Sequence, residues 1–284
     1  MLSIPSTNNI VHKSLSGWAS SENPFPVSVS VQEYYGFTYS LLATVKQPQS
    51  LLFNIEADCL KLGFPSSFQL NQYLASTFPD MVMEADNNIV IVIDHSKLRE
   101  NEDPKSLISL LSSIHVLVLG LPIVRAIETV EKKETGKSFL KFTSDHIMFV
   151  ESHRDSILVT FALSIQDSND DVLVRPFLQE LVDARKTATY DSSPPVSWSL
   201  TCPVTLEDDV KNNGLKPTHG FITFVIFPKH WVETKRFNTI STLVSFKSFL
   251  LLHLRAMKAE QHVRLRKRFS SSLESLNKAK PSVK

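Results

Sequence analysis

Glycine is scarce in this chain, with seven among 284 residues. Phosphate-binding loops need closely spaced glycines, and neither G-x-G-x-x-G nor G-x-x-x-x-G-K-[ST] occurs. The H-E-x-x-H zinc motif and the G-x-S-x-G nucleophile motif are also missing. The nine histidines are scattered singly; His146 and His153, seven positions apart on a predicted strand, point to opposite faces. We therefore expect no enzyme, no catalytic residue, no cofactor and no metal site.

Cysteine is equally rare, and long hydrophobic runs are absent. Cys59 and Cys202 are far apart in sequence and belong to no C-x-x-C or Cys/His pattern, which predicts a reducing compartment and no disulfide bond. The longest apolar run, 116–124, contains Gly120 and Pro122 and is too short to span a bilayer. The N-terminus lacks the hydrophobic region of a signal peptide. These absences predict a cytoplasmic protein with no integral membrane segment.

Charge is nearly balanced overall, but it is unevenly distributed along the chain. The net charge is +1. From Arg255 to the C-terminus there are nine Lys and Arg residues against two Glu, so this segment carries +7 and the preceding part −6. An acidic body with a basic C-terminal arm indicates a partner with an acidic surface.

The basic arm falls on a segment that is predicted to form one long helix. There is no glycine after Gly220 and no proline between Pro228 and Pro281, so residues 235–278 should form a helix without a break. Its length would be about 63 Å, whereas a compact body made from the other ~230 residues would be about 45 Å across. One end should therefore project beyond the body, where another protein can cover it.

The projecting end carries an apolar stripe that lies on one helix face. Its members follow one another at spacings of four, four and three residues: Leu265, Phe269, Leu273 and Leu276. Burying four such side chains stabilises a complex by roughly 6–12 kcal/mol at most. We expect the stripe to pack against a partner; the alternative is that it folds back onto the chain's own core.

Ahead of this helix, strands and helices occur in a repeated order. Each half reads as three strands, a helix, two strands and a further helix. Strands are predicted at 27–31, 39–45, 51–57, 80–83, 89–93, 138–142, 147–151, 157–165, 196–200 and 221–227, and helices at 68–76, 104–130 and 172–185. Three consecutive strands joined by short loops must be antiparallel, and Pro122 should break or kink its helix.

The fold class is therefore predicted to be α/β, more fully α+β. It has two similar domains with mainly antiparallel sheets flanked by helices, plus a long C-terminal α-helix. The predicted boundaries place a first α/β domain at 1–136 and a second at 137–232. The long helix and its basic tail occupy 233–284.

Three segments of the second half resemble the family of subunit 2 of the actin-related protein 2/3 complex. They are FTSDHIMFVESHRD at 142–155, GFITFVIFPKH at 220–230, and the helix that opens with Asn-Thr-Ile at 238–240 and ends with Leu-Asn-Lys-Ala-Lys-Pro at 276–281. The resemblance covers about residues 138–281, and the first half matches only in layout. Departures elsewhere indicate a divergent member, such as a plant paralogue.

The resemblance implies a non-catalytic, actin-binding scaffold subunit of the cytoplasm and cytoskeleton. In that family the long helix packs beside subunit 4, other subunits complete the complex, and the protein contacts the mother filament from which a branched filament is nucleated. It implies that the residues packing against subunit 4 are Leu251, Leu254, Leu265, Phe269, Leu273 and Leu276. The implied actin-filament contacts are Arg264, Arg266, Lys267, Arg268, Lys278 and Lys280.

Two other functions are open from the sequence. A stand-alone protein could use the basic amphipathic helix 250–269 to bind calmodulin or a membrane surface. The cluster 264–268 could bind nucleic acid, but no RNP, KH or zinc-finger context supports this, and we expect no nucleic-acid partner. Co-purification separates the functions, because it yields either a fixed set of actin-related subunits or a single calcium-dependent partner.

Overall fold

Two antiparallel sheets form the body of the protein. The structure, a computed structural model, describes residues 5–33, 36–83, 87–165, 170–187 and 192–278. The strands of the first sheet are β1 (Val27–Gln32), β2 (Thr38–Thr44), β3 (Gln47–Glu56), β4 (Val82–Met83) and β5 (Asn88–Asp94). Those of the second are β6 (Gly136–Thr143), β7 (His146–Ser152), β8 (Ile157–Ala162), β9 (Val196–Ser199) and β10 (Phe221–Ile226).

The two sheets have the same strand order. It is β1-β2-β3-β5-β4 in the first and β6-β7-β8-β10-β9 in the second, and all paired strands run antiparallel. Alternation explains the strands: in β3, Leu51, Phe53 and Ile55 point into the core while the residues between them point outward. The predicted fold class, including two similar units with mainly antiparallel sheets, is confirmed.

Helices surround and connect the sheets. They are α1 (Asn9–Ser20), α2 (Asp58–Lys61), α3 (Leu70–Thr77), α4 (His95–Glu100), α5 (Pro104–Ser112), α6 (Ile114–Glu131), α7 (Asp171–Arg185), α8 (Glu207–Asn212), α9 (Glu233–Val244) and α10 (Phe246–Lys278). In the described ranges, no single helix is long and apolar enough to cross a membrane. Two pairs, α5 with α6 and α9 with α10, meet that test only together, across bends of 78° and 56°.

Pro122 was predicted to break or kink its helix; the break is wrong, and a kink stays a prediction. α6 continues through Pro122 to Glu131, and the break lies earlier, at Ser113, where the chain turns by 78° between α5 and α6. Proline removes one backbone hydrogen bond from a helix. Almost every residue of α6 is buried, and this packing holds the helix together across the missing bond.

α6 joins the two halves into one core. It contacts β6, β7 and β8 of the second sheet and also α9, although the predicted boundary at residue 136 places it in the first domain. The main hydrophobic cluster is continuous and includes Phe53 of the first sheet and Phe161 of the second. The domain boundaries 1–136, 137–232 and 233–284 stay a prediction.

Gly120 sets the distance between α6 and α9. A Cβ atom added at this position would lie 2.3 Å from Cγ2 of Ile240, so Gly120→Ala forces the two helices apart. We expect overpacking to cost about 1–3 kcal/mol, which outweighs the ~1 kcal/mol by which alanine favours a helix over glycine. Urea unfolding of the isolated chain measures this. Gly17→Ala in α1 is the control, since nothing lies within 4 Å of its added Cβ; equal stability of the two variants would contradict the prediction.

His146 makes the folded state sensitive to acid. Its ring is fully buried, with centroids 4.7 Å from the Phe142 ring and 5.7 Å from the Phe161 ring. Burial lowers the pKa of His146 well below its ordinary value, and the positive charge of Lys247 adds to the shift. In the unfolded chain the pKa of this histidine returns to about 6.5. At pH values between the folded-state pKa and the unfolded-state pKa, the unfolded state therefore binds one more proton than the folded state.

Stability should therefore decrease as the pH falls below about 6.5, and His146 should contribute a slope of about 1.4 kcal/mol per pH unit. The variant His146→Phe lacks this contribution to the pH dependence of stability. Part of the pH dependence should remain, because burial also lowers the pKa of His115. Denaturant unfolding of both proteins between pH 7.5 and 5 measures the difference. Identical slopes would show that His146 does not titrate with unfolding.

Candidate interaction surface on the C-terminal helix

The prediction of one unbroken helix over 235–278 is wrong, because the helix bends by 56° between α9 and α10. Backbone hydrogen bonds continue through the bend, from Ser245 N to Ser241 O and from Phe249 N to Ser245 O. Directly after the bend, the Phe246 ring lies 5.9 Å from the Phe161 ring and 5.0 Å from the Phe224 ring. Burial of this ring against the second sheet fixes the direction in which α10 begins.

The first third of α10 is attached to the body. Phe246, Leu250 and Leu254 are buried at helical spacing, Lys247 Nζ lies 3.8 Å from the Asp145 carboxylate, and Lys258 forms an ion pair with Asp170. The assignment of Leu254 to a partner is therefore corrected: with 1% of its surface exposed, this side chain already belongs to the chain's own core.

The remainder of α10 projects from the body. Residues 259–278 are all exposed, and 20 helical residues extend about 30 Å. The apolar stripe lies on this part: Leu265 is 49% exposed, Phe269 67%, Leu273 60% and Leu276 66%. The alternative that the stripe folds back onto the core is thus excluded. Contact with subunit 4 stays a prediction.

The stripe forms a single narrow face. At about 100° per residue, its four members fall within an arc of about 80°. Leu251, which is half-buried where α10 leaves the body, falls on the same arc and extends the face toward the core. His262 also falls on this arc; the sequence pattern of apolar residues did not include it because it is polar, although its spacing from Leu265 and Phe269 gives the same face.

The basic residues occupy the other sides of α10. Lys267 and Lys278 lie nearly opposite the stripe, with Arg264 beside them, while Arg266 and Arg268 flank the stripe on its two sides. All of them are exposed, and Lys280 lies outside the described residues. A partner helix covering the stripe would therefore leave most of these charges free.

One of these charges is already engaged within the helix. Arg264 Nη2 lies 2.5 Å from Glu260 Oε1, and both side chains are largely exposed. Within the described residues, Arg266, Lys267, Arg268 and Lys278 form no ion pair. The exposed part, 259–278, contains five basic and two acidic residues and carries a charge of +3, so it attracts an acidic surface.

The calmodulin or membrane alternative fits the structure less well. It requires the apolar residues of the segment 250–269 to be available together, but Leu250 is 0% exposed and Leu254 1%. Among the large apolar side chains of this segment, those exposed to solvent lie from Val263 onward. A ligand that wraps around the whole segment would first have to detach α10 from the core.

The sequence matches one known protein family. A sequence model of the family described as "Arp2/3 complex, 34 kD subunit p34-Arc" matches residues 58–283. The chain is similar to "Actin-related protein 2/3 complex subunit 2A" of Arabidopsis thaliana, with 27% identity over 267 residues that cover 89% of this chain and 82% of the relative.

Two further relatives extend the match. The "Actin-related protein 2/3 complex subunit 2" of Schizosaccharomyces pombe is 25% identical over 305 aligned positions, covering 100% of this chain and 95% of the relative. The protein of the same name from Dictyostelium discoideum is 27% identical over 238 residues, which cover 82% of this chain and 77% of the relative. The match includes the first half, where the sequence resembled the family in layout alone. The chain belongs to the 34 kD subunit, or p34-Arc, family of the Arp2/3 complex.

Proposed function

We propose that this chain is a non-catalytic scaffold subunit of the Arp2/3 complex in the cytoplasmic actin cytoskeleton. It pairs with subunit 4 through the apolar stripe of α10 and contacts the mother filament through the basic residues on the other sides of that helix. In this way it supports nucleation of branched actin filaments. The observation that carries the proposal is the projecting, exposed amphipathic part of α10 in a member of the p34-Arc family.

The exposed apolar face of this helix favours a protein partner. A short isolated helix is marginal in water and gains most of its stability from packing of an apolar face. Residues 259–278 have no such packing against the other residues that the structure describes, yet they carry four large apolar side chains in one line. Covering them stabilises a complex by roughly 6–12 kcal/mol at most, before the costs of association, and so contributes a large part of the free energy that a heterodimer requires.

The test is co-expression of the chain with subunit 4, followed by size-exclusion chromatography. We expect a 1:1 heterodimer, and incorporation into the full complex when the remaining subunits are supplied. Calcium-loaded calmodulin, offered to the same purified chain, serves as the competing partner and should elute separately. A chain that stays monomeric with subunit 4 but binds calmodulin would overturn the proposal.

A further inference from the structure

The two sheets differ in how their outer faces, which point away from the shared core, are covered. The outer face of the second sheet is covered by the chain itself. Leu206 and Val210, from the long connection between β9 and β10, pack with Ile147, Phe149 and Phe221 in a separate hydrophobic cluster. Leu206 immediately precedes α8 and Val210 lies within it, so the two side chains are about one helical turn apart.

In the part of the chain that the structure describes, the first sheet has no such cover. Its corresponding connection, between β4 and β5, is four residues long, from 84 to 87, and is too short to cross the sheet. Its outer face nevertheless carries adjacent apolar side chains, here termed the first-sheet patch: Leu42, Leu52, Val90, Val92 and Met83. Leu42 is 44% exposed, Leu52 38% and Met83 54%.

The strand register makes this patch continuous. Leu42 lies opposite Leu52 on the neighbouring strand, and Leu52 lies opposite Val92 on the next. Val90 lies opposite Met83 of the edge strand. Outward positions of an antiparallel sheet that face water are ordinarily polar, as Ser28 and Ser30 of β1 are. A connected apolar area at such positions marks an interaction surface.

We propose that the first-sheet patch docks a short amphipathic helix from another subunit of the Arp2/3 complex. That helix presents two apolar side chains one turn apart, as the Leu206–Val210 segment does on the second sheet. The identical strand order of the two sheets makes the second sheet a template for what covers the first. This inference rests on the proposed function, because the occupant is a subunit of the complex.

The dimensions of the patch fit this occupant. The row Leu42, Leu52 and Val92 crosses three adjacent strands, so its ends are about 10 Å apart. Two turns of an α-helix cover about 11 Å. The second sheet is covered in the same way across three adjacent strands: Ile147 lies on β7, Ala162 on β8 and Phe221 on β10.

Cysteine labelling tests the proposal in the assembled complex. Leu52→Cys, Phe269→Cys and Ile10→Cys are made separately in a Cys202→Ser background, with Cys59 left in place because it is buried. Maleimide labelling is followed in the isolated chain and in the purified complex. We expect the reaction at Leu52→Cys to slow about tenfold or more on assembly, as for a site that reacts only after local opening. Ile10→Cys, on an exposed helix position, should change less than about twofold.

The readouts separate this inference from the proposed function. Phe269→Cys reports on the α10 stripe, so a chain that assembles with Phe269→Cys protected and Leu52→Cys fully reactive overturns the inference alone. A chain that does not enter the complex overturns both. Protection of Leu52→Cys in the isolated chain that rises with its concentration means that a second copy covers the patch, and this also overturns the inference.

A photo-crosslinking residue at Leu42, in the same purified complex, identifies the occupant. We expect the cross-linked peptide to belong to another subunit and to contain apolar residues four positions apart in a helix. Cross-linking to a strand or to an irregular segment would contradict a helical occupant. Cross-linking to α10 of the same chain would contradict an intersubunit contact.

Discussion

Phe269→Ala combined with Leu273→Ala should abolish co-elution of the chain with subunit 4. Against a partner helix, truncating a fully buried Phe costs about 3–5 kcal/mol and truncating a buried Leu about 2–5 kcal/mol. Together these losses would remove most of the binding free energy of the stripe. Size-exclusion chromatography of the co-expressed proteins detects the loss, and titration calorimetry of separately purified chains measures it.

The isolated chain provides a control for folding. Phe269 is 67% exposed and Leu273 60%, so the double variant should unfold within about 0.5 kcal/mol of the unmodified chain. Val263→Ala is the matched control for position, because Val263 is 51% exposed on the same helix but lies outside the arc of the stripe. If the double variant still co-elutes with subunit 4, the stripe does not form the contact.

Reversing Lys267, Arg268 and Lys278 together to glutamate should weaken co-sedimentation of the assembled complex with actin filaments by roughly tenfold or more. Each exposed charge pair contributes about 0.2–1 kcal/mol, so a single reversal should do little while three act together. Lys267 and Lys278 lie nearly opposite the stripe and Arg268 lies about 60° beyond its edge, and the heterodimer should therefore still form. The dependence of binding on salt should also flatten, because exposed pairs are screened over a Debye length of about 8 Å at physiological ionic strength.

A charge-matched variant controls for net charge. Lys46, Lys105 and Lys216 are exposed on the body, and reversing all three changes the net charge by the same amount. We expect this variant to bind filaments nearly as the unmodified complex does. If the two triple variants lose affinity equally, the filament responds to overall charge and not to α10. If the α10 variant keeps both its affinity and its salt dependence, the basic residues face something other than actin.

The strands could be predicted from the sequence because the pattern that identifies them is local. Strands such as β3 bury every second side chain, and this alternation is visible without knowledge of the partner strand. α1 also had a signal that was overlooked: Val11, Leu15 and Trp18 are spaced four and three apart, and the Asn8 side chain accepts hydrogen bonds from the first turn. The many serine residues at the start of the chain make this helical spacing harder to recognise.

The features of the fold that the sequence did not predict depend on contacts between distant segments. The bend after α9 contains no glycine or proline, and it follows from the packing of Phe246 on a sheet whose strands come from far earlier in the chain. Leu254 and Leu265 look alike in sequence, yet one is 1% exposed and the other 49%. Helical periodicity gives the face of a side chain, but not the point at which the helix leaves the body.

The bend at Ser245 also makes α10 a lever. About 30 Å of helix extend beyond the last attachment to the body, so a rotation of 10° at the base moves the tip by about 5 Å, roughly the rise of one helical turn. With the filament contact proposed above, the angle at which a bound filament meets the complex would depend on the packing of Phe246 and on the ion pairs of Lys247 and Lys258. Residues that touch neither actin nor subunit 4 would in this way help to set the geometry of a filament branch.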